Sequence, residues 1–187
     1  HDTFEHSLEI RKIIGYLPET PPLYQDMSVL DYLMFAAHVR GVTAKGSKSA
    51  VERVIEKCSL KDVDHRIIGR LSKGYQQRVG LAQAMVHDPD ILILDEPTIG
   101  LDPIQIIEIR KLIQELAASH TIILSSHILP EITQLCQRVI IINEGEIAAV
   151  DSLHGLTASL RKSERLSLTV RKGGEEVGEK LKSLKQV

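Results

Sequence analysis

Residues 91–102, "ILILDEPTIGLD", place four apolar residues before two adjacent carboxylates, then a proline and a second aspartate in a Gly-Leu-Asp turn. Periodicity alone admits a buried helix here. The shortness of the run and its boundaries, "HDPD" before and Pro97 after, favour a strand of a parallel sheet. Acids at the end of such a strand are costly unless something positive sits beside them. Asp95 there has the chemistry of a Mg²⁺ ligand, direct or through water. Glu96, one residue beyond, can accept a proton from an attacking water or orient it. An isolated Asp-Glu pair more often caps the next turn, but the apolar run and the turn that follows weigh against that here.

Working outward, Asp102-Pro103 opens a helix. The aspartate caps it, proline fits the first helical position, and Gln105 completes a capping box. Ile106, Ile109, Ile113 and Leu116 share its apolar face. "TIILSS" (Thr121–Ser126) is a second buried-type strand, leading to His127, and "RVIIINEGEIAAV" is a hairpin turning at Glu144-Gly145. Upstream, "KIIGYLP" (Lys12–Pro18) reads as a short strand entering a proline-marked loop. Ser28 with Asp31 starts a helix that stops at Gly41, and Ser49–Cys58 is a second amphipathic helix. A third follows "LSKGY". Beyond Ser152, "SLHGLTASLRK" suits a short helix and "RLSLTV" a strand, before a Gly- and charge-rich tail.

Strand, helix, strand in this order implies a parallel sheet with a right-handed crossover, whose ligands sit at the carboxyl ends of the strands. Asp95, Glu96 and His127 all fall at those ends. Imidazole at that rim can hydrogen-bond a γ-phosphate or an attacking water, although a lone strand-end histidine is more often structural or solvated. Ser72 precedes a helix, and Gly74 lets backbone approach a ligand; such a helix start suits a phosphate, or is an ordinary serine cap. Glu19 lies in "GYLPETPPLY", where a carboxylate can reach metal or water if the loop closes, or simply decorate a surface turn.

The bulk composition narrows the classes. Of 187 residues 43% are apolar and only 3% aromatic, which suits an aliphatic α/β core, and a formal charge of -2 gives no electrostatic case for nucleic acid. Cys58 and Cys136 have neither disulfide-framework nor zinc spacing. No apolar run nears the ~18–20 residues of a membrane span. The start, "HDTFEHSLEIRK", lacks a signal-type segment and does not begin with Met, so the expectation is a truncated or processed piece.

Together these stretches resemble the nucleotide-binding domain of ATP-binding cassette (ABC) proteins. "LSKGYQQRVGLAQAMVHDPDILILDEPTIGLDP" is similar to that family's signature, Walker B strand, catalytic glutamate and D-loop in unbroken order; "GYLPE" resembles its Q-loop and "LSSH" its switch histidine. The likeness runs from about Ile10 to Val150. It implies an α/β fold: a P-loop NTPase (RecA-like) parallel sheet core with an inserted α-helical subdomain at about 20–89, incomplete at its N-terminus. Residues 1–150 would form the nucleotide-binding domain fragment and 151–187 the start of a C-terminal extension. The cofactors implied are ATP and Mg²⁺, with Asp95 and Glu19 toward the metal, Glu96 as the water-polarising base and His127 on the γ-phosphate. Leu71, Ser72, Lys73, Gly74, Tyr75 and Gln76 form the signature, whose Ser72 and Gly74 would bind ATP held by the opposing subunit. Asp102 would link the halves of a head-to-tail dimer. Departures are Lys73 and Tyr75, where the family often has Gly and Gln, and Glu19 in place of a Q-loop Gln.

The pattern is similar to that of gliding-motility and multidrug exporter subunits, which implies a separate transmembrane permease partner and a place on the cytoplasmic face of the inner membrane. The docking surface would lie around Pro21–Arg40, with Leu23, Tyr24 and Met27 either exposed for it or packed inside. Two other functions stay open: a soluble ABC-type ATPase acting on ribosomes or DNA, and a non-catalytic half-cassette binding a complete partner. The phosphate-cradling loop G-x-x-x-x-G-K-[ST] is missing, since the chain has no Gly-Lys dipeptide. The expectation is therefore no appreciable ATPase activity from this piece alone, and exposed apolar sheet surface where strand and helix are lacking. Two copies would not repair each other, because both lack the same part.

Overall fold

The computed structural model describes residues 5–152 and 155. The helix and strand expected beyond Ser152, and the charged tail, lie outside them. The chain divides into two compact units, His1–Gln137 and Arg138–Val187.

The first unit is built on a three-stranded parallel sheet in the order β1 (Ile14–Leu17), β2 (Ile91–Asp95), β3 (Thr121–Ser125). The register aligns Tyr16 with Ile93 and Ile123, and Asp95 with Ser125. One face of the sheet carries Leu17, Leu92 and Leu94, all within 1% of full burial, and faces the core. On the other, Tyr16 and Ile123 are 45% and 55% exposed, so an apolar sheet face stands open to solvent.

Between β1 and β2 the chain inserts three helices: α2 (Val29–Val39), α3 (Ala44–Lys57) and α4 (Lys73–Met85). Val29, Leu33, Ala36 and Ala37 make one stripe of α2, and Val51, Val54 and Ile55 one stripe of α3, each at helical spacing. α4 is buried nearly all round because it packs on α2 and α3 as well as β1. That double packing needs small residues. A Cβ on Gly15 would run into the Ala84 carbonyl, and one on Gly80 would meet Leu17 and Pro21 at 2.8 Å. Two short 3₁₀ turns, Lys61–Val63 and Ile68–Arg70, join α3 to α4.

The caps follow the sequence. Ser28 accepts from the Asp31 amide at 3.1 Å, and Asp102 from the amides of Ile104 and Gln105 at 3.0 and 2.9 Å, opening α5 (Pro103–Leu116). Elsewhere the structure departs from the reading. α1 (Ser7–Ile13) occupies the residues before β1, so Lys12 and Ile13 are helical and the strand begins at Ile14. α1 buries no side chain, so it leaves no apolar period to read. α3 begins at Ala44, five residues before Ser49, because Thr43 caps it through the Gly46 amide. A short helix, α6 (Leu129–Leu135), follows β3, with Pro130 in its first turn.

The second unit contains the hairpin, β4 (Val139–Asn143) antiparallel to β5 (Glu146–Asp151). Glu144 and Gly145 both take positive φ, 51° and 82°, as a tight hairpin turn demands. Among the described residues no helix is long and apolar enough to cross a membrane.

Candidate functional site

β2 delivers Asp95 to the carboxyl rim of the sheet, and neighbouring groups hold its carboxylate there. Ser125, its register partner on β3, donates to Oδ1 at 2.5 Å, and the Tyr16 hydroxyl lies 3.5 Å from Oδ2. The chain then kinks. Glu96 adopts φ 46°, a left-handed conformation costing a non-glycine residue roughly 1–2 kcal/mol. Its amide is oriented by Ser125 twice, to the carbonyl at 3.3 Å and to Oγ at 3.1 Å. The strained turn lifts Glu96 off the strand direction.

That turn brings Glu96 to His127. Oε1 lies 2.8 Å from His127 Nδ1, while Oε2 is buried and has no hydrogen-bond partner among the described residues. The carboxylate is 17% exposed and the imidazole 66%. The hydrogen bond that Glu96 accepts from His127, then the charge of Glu96, raise the His127 pKa above the ordinary histidine value; Glu131 and Glu19 add smaller pulls in the same direction. Glu19 itself is exposed in the loop after β1. An oriented carboxylate with one free buried oxygen, beside a protonatable imidazole, can take a hydrogen bond or a proton from a water.

Asp95 offers hard oxygen to a cation. Among the described residues no three His, Cys, Asp or Glu converge into a set that would hold a metal by themselves. A single rim carboxylate nevertheless fits Mg²⁺, which keeps several waters and is held by one or two carboxylates together with phosphate oxygens.

The "LSKGYQ" residues divide by position. Leu71 is in the core, and the Gln76 amide donates back to the carbonyls of Ile68 and Leu71 at 3.1 and 3.3 Å, fixing the turn into α4. Ser72 caps α4 through the Tyr75 amide at 3.5 Å. Gly74 is buried beneath the Gln105 side chain, which packs there instead of closing a capping box with Asp102. Ser72, Lys73 and Tyr75 are exposed, and the Lys73 side chain lies across Gly100, whose φ is 68°. The helix start and the turn before Asp102 are therefore in contact within one chain.

Of the apolar residues after Pro21, Leu23 joins the core and Met27 packs partly against it. Tyr24 stays 54% exposed, its ring 5.4 Å from Phe35 and 5.9 Å from Tyr32. The sequence reading missed Ser125, the strained φ of Glu96, and Glu131. The Ser-Ser pair before His127 was the only visible signal for the first.

Acids at the carboxyl rim of a parallel sheet, with a helical layer inserted between its strands, define an α/β architecture of the P-loop NTPase class. Residues 2–99, slightly more than half of the 187, match the family described as ABC transporter. The chain belongs to the ABC transporter family. It is 42% identical over 146 residues to the bacitracin transport ATP-binding protein BcrA of Bacillus licheniformis, covering 77% of this chain and 47% of that one. It is 36% identical over 167 residues to the ABC transporter ATP-binding protein NatA of Bacillus subtilis, covering 88% and 66%. The chain thus spans about half the length of the first curated relatives it matches. Among solved structures, cbiO1 from Clostridium perfringens, part of the ABC transporter complex cbiONQ, superposes with a TM-score of 0.73 at 26% identity, covering 94% of this chain and 69% of that one. An ATP binding subunit of an ABC transporter gives 0.74 at 24%, covering 97% and 73%, a likeness of fold.

Proposed function

We propose that this chain is part of the ATP-hydrolysing subunit that powers a bacterial ABC-type membrane exporter. The observation that carries the reading is the Glu96–His127 pair, 2.8 Å apart, with Glu96 Oε2 unpartnered among the described residues, next to Asp95 at the sheet rim. Asp95 would hold Mg²⁺, with Glu19 able to add an oxygen. A magnesium-bound triphosphate supplies the electrophilic phosphorus and the charge that must be stabilised. Glu96 orients the attacking water and accepts its proton; His127, its pKa raised by Glu96, offers a hydrogen bond to the γ-phosphate. Exposed Ser72 and Lys73 at the start of α4 are assigned to nucleotide held by a second nucleotide-binding domain in a head-to-tail dimer, with Asp102 and its turn at the junction; Gly74 would reach it only if the Gln105 side chain that covers it moves aside.

A relative named for bacitracin transport and a solved structure described as part of the ABC transporter complex cbiONQ are transporter components, which supports a permease partner for this chain. Exposed Tyr24, its ring tilted against that of Phe35, is the apolar surface offered to it. The subunit would then sit peripherally on the cytoplasmic face of the inner membrane. Residues 1–150 form the nucleotide-binding fragment in this reading, and 151–187 begin an extension.

Phosphoryl transfer depends on positioning and charge stabilisation, and the sequence contains no Gly-Lys to supply a P-loop. The 187 residues alone are therefore inactive in this reading. Magnesium-dependent ATP turnover tests it, measured on the 187-residue chain and on the full-length gene product. Turnover is expected only where a Gly-rich loop ending in Gly-Lys-Ser or Gly-Lys-Thr precedes His1. Turnover by the 187-residue chain overturns the reading.

A further inference from the structure

We propose that Glu131 is the positioning residue of the Glu96–His127 pair, a buried carboxylate that ties the segment after Glu96 to the segment before His127. The inference rests on the catalytic reading of that pair for its functional meaning, but its geometry stands independently.

Glu131 is the third residue of α6 and only 1% exposed. Its Oε2 receives two hydroxyls, Thr98 Oγ1 at 2.7 Å and Ser126 Oγ at 3.1 Å. Its Oε1 receives Arg110 Nη2 from α5 at 2.9 Å. A carboxylate this deep is retained only where donors satisfy it, and here three segments supply them. Thr98 is 2% exposed and lies two residues after Glu96. Ser126 immediately precedes His127, and its Oγ also accepts from the Ile128 amide at 3.1 Å, which fixes the hydroxyl's direction. One carboxylate oxygen thus fastens together the two loops that carry Glu96 and His127.

A plain structural role competes. The Arg110 contact, with Arg110 Nη1 bonded to Gln134 Oε1 at 3.2 Å, staples α5 to α6. The two roles use different oxygens, so they separate by substitution. Thr98→Val deletes a hydroxyl that Oε2 receives and leaves every charge in place. Arg110→Gln removes the staple on Oε1 and leaves both hydroxyl bonds.

The test is NMR of ring-labelled histidine in the full-length protein without nucleotide, so that it does not depend on hydrolysis. In Thr98→Val the His127 ring signals and pKa are expected to move toward those of an ordinary exposed histidine, and Thr98→Ser is expected to restore them. Arg110→Gln is expected to lower the urea midpoint while leaving His127 near its native titration. In the complete enzyme, Thr98→Val then lowers kcat for ATP about 10- to 100-fold, the usual worth of misplaced catalytic groups, with little change in KM. If folded Thr98→Val and Ser126→Ala both keep the native His127 signals, Glu131 is a helix staple and the proposal is wrong. If the His127 signals move as expected while the complete enzyme hydrolyses no ATP, the positioning role stands and the ATPase reading fails instead.

Discussion

The Nδ1 of His127 lies 2.8 Å from the Oε1 of Glu96, joining residues 31 apart in sequence that no secondary-structure element contains. Both sit in the turns that leave adjacent parallel strands, so the pairing depends on register: Asp95 opposite Ser125 puts the two exits side by side.

The pair makes His127 titrate above its ordinary value of 6.5, chiefly through the hydrogen bond and then the charge of Glu96. A raised folded-state pKa means that the interaction's stability is fully present below the unfolded value. It is lost as pH rises through the folded one. His87 runs the opposite way. Burial, then the charge of Arg40, lowers its pKa against the opposing pull of the 3.1 Å hydrogen bond from its Nε2 to the Ile14 carbonyl, so its contribution is complete above 6.5 and fades as pH falls through the folded value. A melting curve mixes the two, whereas NMR titration separates them. Glu96→Gln is expected to lower the His127 pKa and leave His87 unmoved; an unchanged His127 shows that the pair does not form in solution.

Gly15 carries the second prediction. Its α-carbon faces the Ala84 carbonyl of α4, with Leu92 Cδ2 2.7 Å from where a Cβ would be. Neither backbone can yield without moving helix against sheet. Gly15→Ala is expected to cost about 1–3 kcal/mol, seen as a lower urea midpoint at constant m. Gly46→Ala, inside α3 with Thr43 Oγ1 at 3.2 Å, is expected to be neutral or to gain up to about 1 kcal/mol from helix propensity. Equal effects at the two sites would remove the close-approach explanation.

The two thiols give a third. Cys58 is completely buried at the end of α3, and burial pushes its pKa up to about 12; Cys136, half-buried, is raised for the same reason. Thiolate is the reactive form, so both are slow, but only Cys136 is reachable without unfolding. Timed alkylation with mass-spectrometric readout is expected to label Cys136 first, and Cys58 at the rate of global opening. Early labelling of Cys58 would mean that the helical layer opens on its own.

How far the sequence revealed this site follows from the kind of signal each part leaves. Asp95 and Asp102 were legible because a short apolar run and an Asp-Pro cap are local patterns. α1 and the first turn of α3 were not, since the former buries nothing and the latter, Ala-Lys-Gly-Ser, has no large apolar residue to mark a face. The Glu96 turn was invisible for another reason. Its positive φ is imposed by Ser125 across the sheet, and no residue-type rule puts glutamate in that conformation. Glu131 reads as one more acid on a surface helix until Thr98, Ser126 and Arg110 are seen around it.

The base assignment makes the final prediction. Glu96 keeps one oxygen on His127 and holds the other buried without a partner among the described residues, an arrangement suited to gripping a water. Glu96→Gln preserves size and the ability to accept through its amide oxygen, so the turn and the nucleotide contacts proposed for Ser72 and Asp95 should persist. What it loses is the proton acceptor. In the full-length protein, turnover of Mg²⁺-ATP is expected to fall by ~10²–10⁴, the usual contribution of a positioned general base. Nucleotide binding, measured by equilibrium titration, should remain. Near-native turnover would exclude Glu96 as the base. Loss of binding and turnover together would instead make it a structural support of the β2 exit, since a base acts on the transition state and leaves ground-state affinity alone.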